Sequence, residues 1–184
     1  EFPKLFEEII ENQELNYPAQ ILYRPHPSSH VNPQKLGDFK HIIVDSIFNT
    51  QKRSSNLTKF DTNNYINYVY HCDVLVNSGS TESIDGAVIG KPIVCLNFDA
   101  GVELPHWLKS ARMYEDWTHY IHLSATGGVN VVTSEEQLVT GLNEYLTNPG
   151  RDSAGRNKII EEFASPFDGE AAVRLAKILS EELM

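Results

Sequence analysis

Residues 70–99 read YHCDVLVNSGSTESIDGAVIGKPIVCLNFD, and the reading of this stretch decides the fold. Val74, Leu75 and Val76 form a short apolar run with two β-branched residues, and polar turn chemistry follows at once in Asn77-Ser78-Gly79-Ser80-Thr81. A helix fits Glu82 to Ile89, stopped by Gly90 and by Pro92, which opens the next apolar run, Ile93-Val94-Cys95-Leu96. Strand, polar turn, helix, strand is the unit of a parallel α/β sheet, whose ligands bind beyond the carboxyl ends of the strands. The turn offers backbone N–H groups, the hydroxyls of Ser78, Ser80 and Thr81, and the positive end of a helix dipole. That set suits phosphate, although a serine or threonine there also serves as an ordinary helix cap.

Outward from this unit the pattern repeats. Phe2, Leu5, Phe6, Ile9 and Ile10 recur at helical spacing with carboxylates between them, which predicts an amphipathic helix lying on a sheet. Residues 19–23 (AQILY) and 41–45 (HIIVD) read as strands. Residues 46–64 read as a loop centred on Lys52-Arg53-Ser54-Ser55, and a short helix follows at 65–70. Residues 99–118 read as a long aromatic-containing connection, Tyr120 to Leu123 as a strand, and residues 129–132 (VNVV) as another. Ser134, with Gln137 three residues on, predicts a capping box opening a helix that Asn148-Pro149-Gly150 ends. Helices are predicted at roughly 153–164 and from Asp168 onward, the last with Ala172, Leu175, Ile178 and Leu179 on one face. The fold class is therefore α/β: a single Rossmann-like three-layer domain over residues 1–184 with a mostly parallel sheet.

Composition narrows the function. The formal net charge of −10 argues against a general nucleic-acid or anionic-membrane surface, while leaving room for a local cationic pocket. Two cysteines without paired spacing fit a reducing compartment and buried apolar surroundings. No apolar run approaches the roughly 20 residues needed to cross a bilayer. Neither GxxxxGK[ST] nor GxGxxG occurs, so the common nucleotide fingerprints are missing. No HExxH or DxD occurs. His119 and His122, read as strand residues, face opposite sides, so no metal is expected.

Three groups carry the candidate chemistry. The first is the turn Ser78-Gly79-Ser80-Thr81. The second is Asp85, four residues after Thr81 and one turn deeper on the same helix face, where a carboxylate can accept two hydroxyls of a ribose or simply complement the dipole. The third is Arg24-Pro25-His26-Pro27, where two prolines hold the guanidinium and the imidazole at a strand's carboxyl end.

RPHP after a strand, an SGST-type turn with an acid four residues on, and GKPIV closing the unit resemble the donor half of GT-B glycosyltransferases. The likeness is to bacterial surface-carbohydrate enzymes of the CDP-glycerol glycerophosphotransferase-like kind. The tail, TGGV, then SEEQLVTGLNEYLTNP, then DGEAAVRLAKIL, resembles theirs as well.

The resemblance implies that His26 contacts the donor phosphate and stabilises the leaving group, assisted by Arg24. Ser78, Gly79, Ser80 and Thr81 would hold the same phosphates, Asp85 the ribose or polyol hydroxyls, and His119 the border of the base pocket. It implies a nucleotide-sugar or CDP-polyol donor as substrate and no cofactor or metal. The acceptor domain would lie N-terminal in cis or on a separate subunit. No nucleic-acid partner is implied, membrane association would be at most peripheral, and the location would be cytoplasmic, at the inner face of the membrane. The chain opens without an initiator methionine and directly into a helix, and its length covers one half of such an enzyme. It therefore reads as a fragment or split subunit that binds nucleotide weakly and catalyses nothing alone. The rivals are a UDP-sugar 2-epimerase and a non-catalytic nucleotide- or sugar-sensing module.

Overall fold

A computed structural model describes residues 1–25, 38–45 and 59–182. Chain order is α1 (Phe2–Glu11), β1 (Ile21–Tyr23), β2 (Ile42–Val44), α2 (Lys59–His71), β3 (Leu75–Asn77), α3 (Glu82–Ile89), β4 (Ile93–Leu96), α4 (Ala111–Asp116), α5 (Thr118–Ala125), β5 (Asn130–Val132), α6 (Glu135–Thr147), α7 (Ser153–Ile159) and α8 (Ala171–Glu182). Among the described residues all strand pairing is parallel, but the strands form two small sheets: β1 with β2, and β3-β4-β5 with β4 in the centre. The α/β class and the parallel pairing hold. The expected single sheet is found as these two pieces.

Strand β4 shows why helices cover both faces. All four of its residues are buried. Successive side chains leave a strand on opposite sides, and both sides here are apolar. Val94 and Leu96 join Leu5, Phe6 and Ile9 of α1, Ile42 of β2 and Leu138, Leu142 and Tyr145 of α6. Ile93 and Cys95 join Ala87 of α3, Tyr120 and Leu123 of α5 and Ile159 of α7. The first cluster takes residues from both sheets, so α1 and α6 cover a core to which both contribute. Glu7 adds a polar tie: its buried carboxylate accepts the N–H groups of Lys40 (2.7 Å) and His41 (3.1 Å), fixing α1 to the start of β2.

Helix α3 has the predicted bounds. Its stop is Gly90, at φ 81°, whose N–H and that of Lys91 return to the carbonyls of Ala87 and Gly86. Gly86 lets the helix lie close on the sheet, since a Cβ there would stand 2.8 Å from Leu75 Cδ2.

Four expectations differ in detail. Residues 118–125 form helix α5, where 120–123 was expected to be a strand. Burial decides this: Tyr120 and Leu123, three apart, face the core together at 2% exposure each. The expected loop at 46–64 gives way to α2 from Lys59 onward, and its Lys52-Arg53 centre lies outside the described residues. Ser134 caps α6 by accepting the Gln137 N–H (3.2 Å), while Gln137 Oε1 accepts from Thr133 N–H (2.9 Å) instead of closing on Ser134. Helix α8 begins at Ala171 rather than Asp168, and it buries none of its residues.

Candidate functional site

The 78–81 turn follows β3 directly, and Asn77, the last residue of that strand, builds it. Asn77 Oδ1 accepts the N–H groups of Gly79 (3.1 Å) and Ser80 (3.2 Å), an Asx-type turn. Gly79 adopts φ +77°, and a Cβ there would stand 2.7 Å from Met113 Sδ, so α4 lies against the turn. The Ser80 hydroxyl accepts the Glu82 N–H (3.2 Å), and this, rather than a bond from Thr81, caps α3 from the side chain.

Beneath the turn sits a buried polar hub on Tyr120. Its hydroxyl donates to Asn77 Oδ1 (3.2 Å), accepts the Ser80 N–H (3.2 Å), and lies 3.1 Å from Ser83 Oγ and 3.3 Å from Cys95 Sγ. Asn77 Nδ2 donates to Ser83 Oγ (3.0 Å). Burial, with the Cys95 thiol beside it, pushes the Tyr120 hydroxyl well above its ordinary range, and burial pushes the Cys95 thiol up as well. Both groups stay protonated and neutral. Their role in the site is to hold the turn's shape.

Asn77→Ala removes partners from two amides and three side chains at once. It is expected to lower stability by about 1–3 kcal/mol, the penalty of leaving buried donors unmade. The same change should accelerate amide exchange at Gly79 and Ser80, read by NMR alongside a urea melt. Unchanged protection at both amides would remove Asn77 from this role.

The amides of Gly79 and Ser80 are therefore turned inward. Ser78 and Thr81 are exposed, and among the described residues their hydroxyls make no hydrogen bond. Of the amides and hydroxyls expected there from the sequence, an anion at this edge would meet the Ser78 and Thr81 hydroxyls, the Gly79 and Ser80 amides being bonded to Asn77 and Tyr120.

Arg24 follows β1, and Asp45 follows β2. Their side chains pair at 3.0 Å, with exposures of 15% and 2%. The Arg24 guanidinium also lies over the ring of Tyr65 in α2, its carbon 5.3 Å from the centroid. Tyr65 donates its hydroxyl to Asp85 Oδ2 at 2.7 Å. Burial first, and then the bond to Asp85, raise the Tyr65 hydroxyl above its usual range, so it remains a donor. The link Asp45–Arg24–Tyr65–Asp85 thus joins the end of one sheet to the helix that follows β3.

Arg24 and Asp85 meet through Tyr65, and Ser78, Gly79, Ser80 and Thr81 lie at the start of the same helix. His119 is exposed on α5 beside Trp117, ring centroids 5.6 Å apart, next in sequence to the Tyr120 hub. His26 lies outside the described residues. Tyr65, Asn77 and Tyr120 were not anticipated. Only Asn77 had a readable signal, an Asx residue entering a Ser-Gly turn.

Among the described residues no group of three or more His, Cys, Asp or Glu could hold a metal ion, and no helix is long and apolar enough to cross a membrane. No protein-family model matches the chain, and no curated protein matches it. The fold and site define an α/β protein with parallel strands and a polar, hydroxyl-bearing edge.

Proposed function

We propose that this chain is the donor-nucleotide-binding domain of a glycosyl- or polyol-phosphate transferase of surface polysaccharide synthesis, working with an acceptor domain in the cytoplasm at the membrane's inner face. The observation that carries the reading is the Tyr65 bridge: a 2.7 Å bond to Asp85 on one side and the Arg24 guanidinium against its ring on the other. It supports convergence of the cationic segment and the hydroxyl-rich segment on one edge. In this reading the hydroxyls of Ser78 and Thr81 take a donor phosphate, and Asp85 takes ribose or polyol hydroxyls. Catalysis would come from stabilising charge on the leaving phosphate, a preorganised electrostatic effect to which His26 adds an imidazole.

Calorimetry of the chain with CMP, CDP, UDP and GDP tests this. At least one nucleotide is expected to bind. Asp85→Asn is then expected to weaken that nucleotide about 10- to 100-fold, the worth of a hydrogen bond to a charged acceptor. Inorganic pyrophosphate, which has no ribose, should bind both forms equally. Binding of none of the four nucleotides would reject the assignment and favour a structural or regulatory α/β module.

A further inference from the structure

Helix α8 buries none of its residues, and its Val173, Leu175, Ile178 and Leu179 are each more than half exposed. At 3.6 residues per turn, Ala171, Leu175, Ile178 and Glu182 fall in one seam. Ala172 and Leu179 run along one flank of that seam, and Arg174 and Glu181 along the other. Val173 lies on the opposite side of the helix.

The charged flank is positive near the start of the helix and negative near its end. Both groups keep room for another partner. Arg174 Nη1 holds Asp168 at 2.8 Å with its side chain 40% exposed, and the Glu181 carboxylate lies 3.9 Å from Lys177 Nζ with its side chain 59% exposed.

We propose that this face pairs with α8 of a second copy of the chain, the two helices running antiparallel about a two-fold axis. Charge complementarity selects both the occupant and the direction. With the axis between Ala176 and Lys177, Leu175 packs on Ile178 of the second copy and Arg174 meets Glu181 of the second copy, each contact forming twice by symmetry. On the other flank Ala172 meets Leu179, small against large. At the ends Glu182 reaches the first turn of the opposing helix, the positive end of its dipole. A parallel pair would set Arg174 beside Leu179 and give neither charge a mate across the seam.

A twelve-residue helix is about 18 Å long, so the contact falls short of the roughly 1,200–2,000 Å² of a standard interface. The dimer is therefore weak, forming over about 10 µM to 1 mM. The inference does not rest on the nucleotide reading.

Sedimentation equilibrium of the full 184-residue chain over that range is the test. The mass is expected to rise from 20.8 kDa toward twice that value. Leu175→Glu and Ile178→Glu should each weaken association at least about 10-fold, since each brings an unpaired carboxylate into the seam. Val173→Glu, on the opposite side, should leave it unchanged. Urea melts of all three should match the parent, because α8 belongs to neither core cluster. Glu181→Arg sets arginine against arginine and should weaken association about 10-fold. Lys177→Ala removes only the contact within the helix and should leave association intact. A chain that stays at monomer mass at about 1 mM overturns the inference, whether α8 then proves to be covered by another domain, another protein or a lipid surface. A dimer that survives Leu175→Glu and Ile178→Glu, or is indifferent to Glu181→Arg, overturns it as well.

Discussion

Arg24→Ala is expected to lower the stability of the chain by about 3–5 kcal/mol, the usual result of removing one partner from a buried ion pair. The Asp45 side chain is 2% exposed, and the Arg24 side chain, at 15%, meets it at 3.0 Å. Losing the guanidinium takes a bonded counter-charge from a buried carboxylate, and it also uncovers the Tyr65 ring. A urea melt reads the loss. A further substitution, Asp45→Ala, should recover more than half of it, because the second change removes the buried charge. A single-variant cost under about 1 kcal/mol would mean that solvent screens the pair as it does surface pairs. The result bears on function: Arg24 orients Tyr65, and through it Asp85, while its charge is balanced at home.

Gly155→Ala is the second large effect, at about 3 kcal/mol. Gly155 in α7 lies backbone to backbone on the Gly127-Gly128 turn. A Cβ on Gly128 would stand 2.6 Å from the Gly155 carbonyl carbon and 2.7 Å from Arg156 N, and a Cβ on Gly155 would meet the Gly127 carbonyl and Gly128 N. Backbone cannot rotate away as a side-chain tip can, so the helix must shift off the Gly127-Gly128 turn. Overpacking of this kind costs typically 1–3 kcal/mol and occasionally more. At this chain length the cost corresponds to a Tm drop of roughly 6–12 °C. Gly90→Ala is the control: it has φ +81° but nothing within 4 Å, so it bears only the left-handed backbone penalty of about 1–2 kcal/mol. A Gly155→Ala variant as stable as Gly90→Ala would show that α7 has room to move.

What could be read beforehand followed from local chemistry. Helix α3 kept its predicted limits because Gly90 and Pro92 end it whatever surrounds it, and the Ser134 cap of α6 needed only the next three residues. The strand reading of Tyr120–Leu123 failed because a four-residue run, Tyr-Ile-His-Leu, is too short to separate the two periods. Only the core contact of Tyr120 and Leu123 together separates the two. The site was legible as segments and not as bonds. Arg24, Asp85 and the 78–81 turn stand out by residue type and position. That Tyr65 joins two of them depends on a helix packing from elsewhere in the chain. The inward turn of two amides of the third is local, set by an Asx residue two and three positions before them. The expectation for His26 falls outside the described residues.

Both apolar clusters are complete by Phe163, and nothing from Ala171 to Glu182 enters either one. Leu175, Ile178 and Leu179 instead stand more than half in water. Among the described residues the interior is thus closed before the chain turns at Pro166. This twelve-residue rod adds oily surface and nothing to the two described clusters, so cutting it away is expected to remove a sticky handle and leave those clusters whole.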